Sequence, residues 1–124
     1  MGLHYKYNLL SNSASMSSSI NSFGVDLNQV YLITFQAIWT GSPTGTLQIQ
    51  LSCDNVQPVN IPGIDPTANV VNWTTITGSS VALAGSAGTY AWPIEDLGFR
   101  WVRAQYLFTS GTGSLTVQTN SKGP

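Results

Sequence analysis

The sequence predicts an all-β protein, an antiparallel β-sandwich or jelly roll preceded by an irregular N-terminal arm. Three observations carry this expectation. Several short segments alternate apolar and polar residues with period two, as Thr46–Ser52 does with Leu47, Ile49 and Leu51 against Gln48 and Gln50. Gly, Pro and Asn punctuate those segments, with 12 glycines and six prolines to form tight turns. No stretch carries a convincing 3.6-residue apolar repeat.

Residues 1–22 differ from the rest. After HYKYNLL comes SNSASMSSSINS, a polar tract with too few apolar residues to hold an element by itself. It reads as a Ser-rich arm ordered by contact, including contact with neighbouring copies, and residues 23–124 read as a single sandwich domain. At 124 residues the chain suits one domain with a real core.

From residue 29 the strands follow in order. Gln29–Thr40 alternates with Ile33, Phe35, Ala37 and Trp39 on one face, GSPTG turns, and Thr46–Ser52 returns. Pro58, Pro62 and Pro66 make the next stretch an edge strand at most and otherwise a loop, because proline removes ladder donors. Val70–Thr77, Val81–Ala84 and Thr89–Ile94 read as strands, the last interrupted by Pro93, with a turn at Glu95-Asp96-Leu97-Gly98. Phe99–Thr109 is strongly β, SGTG turns, and Ser114–Thr119 closes the domain.

One phrase occurs twice. QAIWTGSPTGTLQIQ from Gln36 and QYLFTSGTGSLTVQ from Gln105 match once a turn residue is allowed for. Phe35, Ala37 and Trp39 then fall beside Ala104, Tyr106 and Phe108, and Leu47 and Ile49 beside Leu115 and Val117. Two readings stand: any amphipathic hairpin with a Gly-rich turn looks like this, or two equivalent hairpins pack across the sandwich, one per sheet. If Val102, Ala104, Tyr106 and Phe108 point inward, then Trp101, Arg103, Gln105 and Leu107 point outward. An outward Trp and Leu flanking an Arg is either covered within the subunit by a loop or the arm, or is a contact surface for another subunit or for a carbohydrate.

Composition narrows function. Charged residues are 7% of the chain, against about 25% in a typical soluble domain, and the formal charge is −1. A neutral, amide- and hydroxyl-rich surface suits a subunit of a stable assembly. Four cations, Lys6, Arg100, Arg103 and Lys122, cannot form the basic patch that nucleic-acid binding requires. No apolar run reaches the length of a membrane span, and MGLHYKYNLL lacks the form of a signal peptide. The lone Cys53 permits no intrachain disulfide.

Chemistry finds little support. His4 is the only histidine, so a nucleophile–base pair with Ser or Cys53 is not expected. The acids Asp26, Asp54, Asp65, Glu95 and Asp96 show no pairing suited to glycoside hydrolysis, and Glu95-Asp96 is better explained by turn preference. Asp54 with Asn55, or Asp65, could contribute to a calcium site, but the spacing matches no loop motif. Zinc is unsupported, and no catalytic residue, metal or cofactor is expected. Sugar binding is the alternative: Trp73, Tyr90 and Trp92 lie among Asn and Thr residues, a combination that suits stacking on a pyranose face. Core aromatics in strands would look the same.

Trp92 to Arg103 reads W-x-I-x-D-x-G-F-R-W-V-R, followed by the SGTG turn and the strand SLTVQ. The segment AWPIEDLGFRWVRAQYLFTSGTGSLTVQTNSKG resembles the C-terminal half of small proteins encoded among the structural genes of tailed and related bacteriophages. The resemblance implies a virion component, such as a capsid decoration, head-fibre, spike or tail-associated β-sandwich, folded in the host cytoplasm before assembly. Its implied partners are copies of itself, for instance in a trimer, and other virion proteins, with surface glycans as a further candidate. The candidate subunit contacts are Tyr5, Tyr7 and Leu9 of the arm and Trp101, Arg103 and Leu107 of the outward face.

Overall fold

The computed structural model describes residues 4–94 and 98–123. Two antiparallel sheets pack face to face around one core. The first, sheet A, has four strands in the order β1 (His4–Ser15), β10 (Gly113–Gly123), β4 (Leu32–Gly41), β8 (Gly88–Ile94). The second, sheet B, has β9 (Trp101–Ser110) and β5 (Thr44–Ser52) at its centre. On β9 lie the short strands β2 (Ile20–Asn21) and β3 (Val25–Asp26), and on β5 lie β6 (Thr74–Thr75) and β7 (Val81–Ala84). The pairing is nested: first strand with last, β2 and β3 with β9, β4 with β8, β5 with β6 and β7. Between these pairs the chain passes back and forth from sheet to sheet. That nesting defines a jelly roll, and with it the expected all-β sandwich is observed.

The repeated phrase is not a pair of hairpins. β4 lies in sheet A and β5 in sheet B, so Gly41 to Thr44 arches across the sandwich, and β9 to β10 does the same in the opposite direction. A hairpin is impossible because both edges of every one of these strands are already taken: β4 by β10 and β8, β5 by β9 and by β6 with β7. The two arches pair with each other instead, β10 with β4 over Gly113↔Gly41 to Lys122↔Leu32, and β5 with β9 over Thr44↔Ser110 to Ser52↔Trp101. They supply the central strands of both sheets. Leu47, Ile49, Val102, Tyr106, Phe35 and Val117 all lie in the core, each fully or almost fully buried. Phe108 departs from the repeat: the ladder shifts between Thr44 and Gly45, and Phe108 is exposed rather than inward.

The two arch tips touch through backbone. Ser42 N–H donates to the Thr112 carbonyl at 2.8 Å, and the Thr40 and Ser114 hydroxyls bond at 2.7 Å. Gly41 sits at φ +80 with the Thr112 carbonyl 2.6 Å from where a Cβ would lie. Gly111 sits at φ +85, and its Cβ would collide with the Ser42 carbonyl. Left-handed φ together with close backbone approach leaves glycine as the only residue that fits.

The irregular arm is corrected in part. Residues 4–15 are a strand of 12 residues paired with β10 from His4↔Gly123 to Ser15↔Ser114. The reason is tertiary: β10 has a second free edge, and the backbone of a Ser- and Asn-rich segment can satisfy it whatever its side chains. Register shifts at Leu9/Ser11 and Ser11/Ala14 bend the strand, with Ser13 at φ 50, and turn Leu10 and then Met16 into the core. The expected strand over 70–77 shrinks to Thr74–Thr75, because the Val71 and Asn72 N–H groups are held by the Asp54 carboxylate instead of a ladder. Pro93 fits where it stands, on the outer strand of sheet A. Most of the Glu95-Asp96-Leu97-Gly98 turn lies outside the described residues.

Replacing Gly111 by Ala should destabilise the fold by about 2–4 kcal/mol, since a strained φ and a backbone clash act together. Gly63→Ala is the control: Gly63 has φ +82 but open space around its Cβ position, so only about 1–2 kcal/mol is expected there. Urea unfolding of the two variants separates close approach from backbone strain.

Candidate functional site

Sheet B has an outer face, and it is covered. Alternation along β9 sends Val102, Ala104 and Tyr106 to the core and Trp101, Arg103 and Gln105 to the other side, as the sequence indicated. The long loop after β5 folds back over them. Trp101 is 0% exposed, and its indole N–H donates to the Asp54 carbonyl at 2.8 Å. The Arg100 guanidinium lies over the Trp101 ring at 4.5 Å, and the Arg103 guanidinium over the Trp73 ring at 4.3 Å. Trp101 therefore cannot be a subunit contact in this fold; burial under the loop, one of the two readings of the sequence, is what is observed. Arg103 is half-buried, and Leu107 is exposed.

Two carboxylates tie the loop down. Asp54 accepts the Val71 and Asn72 backbone N–H groups at 2.8 and 3.0 Å and the Asn72 side-chain amide at 2.8 Å. Those donors hold its carboxyl below the usual aspartate value. Asp65 Oδ1 accepts Gly24 N–H, Thr67 N–H and the Thr67 hydroxyl, which joins the loop to the segment before β3. Beside the loop, amides run across the sheet from exposed Ser80 to exposed Asn21. Ser80 donates to Gln48, Gln48 to Gln105 at 2.7 Å, and Gln105 to Asn21 at 2.9 Å. Arg103 Nε donates to Gln50 Oε1 at 2.9 Å. Each buried polar group named here has its partner, so the part of the face around Trp101 and Arg103 is an internal surface, while Leu107 beyond it stays exposed.

The sugar-platform candidates are placed differently from one another. Trp92 points into the core and donates its indole N–H to the Ser79 carbonyl at 2.8 Å. Trp73 is packed on Arg103. Tyr90 is exposed on the sandwich flank, tilted against Trp92 with ring centroids 4.9 Å apart. The three do not make a common platform.

Among the described residues nothing covers the outer face of sheet A. Its rows follow from the registers: Tyr5 beside Lys122 beside Leu32, Tyr7 beside Asn120 beside Thr34, and Leu9 beside Gln118 beside Gln36. Tyr5 is 71%, Tyr7 56%, Leu9 45% and Leu32 48% exposed. Tyr7 OH donates to Gln118 Oε1 at 3.0 Å, and Gln118 Nε2 donates to Gln36 Oε1 at 2.8 Å, a cross-strand chain over β1, β10 and β4. The Lys122 ammonium lies 4.6 Å above the Tyr5 ring. Lys122 is the one charge in these rows. The structure thus brings Tyr5, Tyr7 and Leu9 together and separates them from Trp101, Arg103 and Leu107. The sequence signal was present in the spacing of Tyr5, Tyr7 and Leu9, although the serines that follow obscured it. Leu32, Gln36 and Gln118 were missed because nothing in the sequence says which strands neighbour β1.

Among the described residues no group of three or more His, Cys, Asp or Glu side chains is placed to hold a metal ion. Among the same residues no helix is long and apolar enough to cross a membrane.

No protein-family model matches the chain, and no curated protein matches it in sequence. Solved structures do share the fold. The SPBc2 prophage-derived protein YomS aligns over 99% of this chain and 96% of its own, with TM-score 0.61 and 16% identity. A chain in the structure of infectious bursal disease virus Gx strain aligns over 97% of this chain with TM-score 0.53 and 14% identity. This chain spans 32% of the viral one. At such identities the likeness is one of fold.

Two outcomes are expected at the covered face. Trp101→Ala should cost about 3–5 kcal/mol of unfolding free energy, as a buried aromatic does, while leaving the association state unchanged. Because the Asp54 carboxyl is depressed, its contribution is fully present above the unfolded aspartate value, near pH 4, and is lost as pH falls through the lower folded value. Asp54→Asn should therefore lower stability at neutral pH and flatten the acid limb of a stability–pH curve. A variant as acid-sensitive as the parent chain would show that Asp54 does not clasp the loop.

Proposed function

We propose that this protein is a non-enzymatic structural subunit of a bacteriophage particle, and that copies associate through the outer face of sheet A. One observation carries the reading: a four-stranded face that exposes Tyr5, Tyr7, Leu9 and Leu32 with a single charge, on a molecule whose other sheet face has its Trp101 and Arg103 covered by its own loop. Exposed tyrosines and aliphatics in a field depleted of charge are the composition of an interface centre. Side chains already ordered by the Tyr7–Gln118–Gln36 chain lose little further freedom on association.

Support for the virion setting comes from the fold shared with a prophage-derived protein and with a viral chain, and from the phage-like segment between Ala91 and Gly123. Folding would take place in the host cytoplasm before assembly, and other virion proteins would complete the contacts. The role asks for no chemistry: buried apolar area drives association, and amide complementarity sets its register.

Light scattering should give a mass that is a multiple of 13.3 kDa at about 10–100 µM, a range that reveals micromolar association. Tyr7→Glu with Leu9→Glu should return the protein to a monomer with an unchanged circular dichroism spectrum. A parent chain that stays monomeric over that range, or a double variant that associates as before, would refute the assignment of the face.

A further inference from the structure

The jelly roll leaves an open flank between β1 of sheet A and β3 of sheet B, two outer strands that face each other without pairing. A groove of about 470 Å³ lies there, within the range of small-molecule sites. Its chemistry follows from alternation. Tyr5, Tyr7 and Leu9 take the outer face of β1, so Lys6 and Asn8 between them turn the other way and line the groove. Phe23, Gln29 and Pro66 are among the residues that complete the lining, and Phe23 is 38% exposed.

The far wall is rigid. The Asp26 carboxylate accepts Arg100 Nε at 2.7 Å, Arg100 NH2 at 3.1 Å and the Asn28 N–H at 3.0 Å. Val30 N–H closes the turn on the Leu27 carbonyl at 3.1 Å. Gln29 is held at φ 62, a conformation that a non-glycine residue adopts only under constraint, and Gly123 packs on its carbonyl with no room for a side chain. On the other side of the groove mouth, Asp65 fixes the backbone of Gly24 at 3.0 Å.

The charge balance selects the ligand. Asp26 is already neutralised by Arg100, so it adds no net charge. Lys6 has no side-chain partner among the described residues, so the lining holds one uncompensated cation, an aromatic residue and several amides. A phosphate would demand more donors and more positive charge, and a fatty acid would demand an enclosed apolar cavity. We infer that the groove binds a carboxylated sugar unit. Lys6 pairs with the carboxylate, Phe23 takes the apolar face of the pyranose, and the Asn8 and Gln29 amides take hydroxyl groups. The inference is separable from the assembly role proposed above, because Tyr5 and Tyr7 are not part of the groove and only Leu9, at its rim, belongs to both surfaces.

The test is a titration of the isotope-labelled full chain with glucuronic acid, followed by backbone amide shifts, with glucose and acetate as controls. Saturable shifts over residues 6–8 and 23–30 are expected, with a Kd on the order of millimolar, and no saturation is expected with either control. Lys6→Gln should weaken binding about fivefold, the scale of a single exposed ion pair, and Lys6→Arg should retain it. Phe23→Ala should also weaken it, with distant amide shifts unchanged in all three variants. The inference is overturned by an absence of saturable shifts up to about 50 mM glucuronic acid, by an equal response to glucose or acetate, or by undiminished affinity in Lys6→Gln. Failure here leaves the light-scattering result on association untouched, and the reverse also holds.

Discussion

The contact on which the rest of the molecule depends is the one between the two arches. β4 to β5 and β9 to β10 cross the sandwich in opposite directions and pair with each other in both sheets at once. The central ladder of sheet A and that of sheet B are therefore one mutual contact, drawn together at tips where Gly41 and Gly111 allow backbone to lie against backbone. Every outer strand attaches to this frame: β1 to β10, β8 to β4, β2 and β3 to β9, and β6 and β7 to β5. Three buried indoles then pin loops to it through backbone carbonyls, Trp39 to Ser86, Trp92 to Ser79 and Trp101 to Asp54.

The two outer faces began from the same kind of text and came to different ends. Each carries polar and aromatic residues at alternate positions, and each is spanned by cross-strand amide bonds. Sheet B is closed by the loop after β5, whose three prolines and two anchoring aspartates hold it in place over Trp101 and Arg103. Sheet A receives no such loop. The consequence is an asymmetric molecule, with one face internal and the other left with tyrosines and aliphatics in water. β1 contributes to both of the surfaces assigned a role, Tyr5 and Tyr7 to the face, Lys6 and Asn8 to the flank groove, and Leu9 to both.

Much of the architecture was legible in the residues. β5, β7, β8 and β9 lie close to the expected segments because alternation and turn residues are local signals. β1 was not legible as a strand at all: the whole of residues 1–22 reads as an irregular arm, since serines and asparagines carry no β signal and only the free edge of β10 recruits them. The repeated phrase was seen, and its faces were assigned in the right sense for Val102, Ala104 and Tyr106. Its pairing was misread as two hairpins because strand–turn–strand text is the same for a hairpin and for an arch. Trp101 illustrates the same limit at one residue: its outward direction followed from alternation, but its cover is a loop anchored by Asp54 some 47 positions away.

By itself, then, the sequence determined most of the longer strands from β4 onward, which of their side chains share a face, and that the chain carries almost no charge. These are properties of neighbouring residues, set by the pleat and by composition. Only the tertiary structure decided which strands are partners, which outer face is covered, and which aromatics remain in water. Those outcomes depend on the competition of strand edges for hydrogen bonds and on a loop closing over a particular sheet, and both act between residues far apart in the chain.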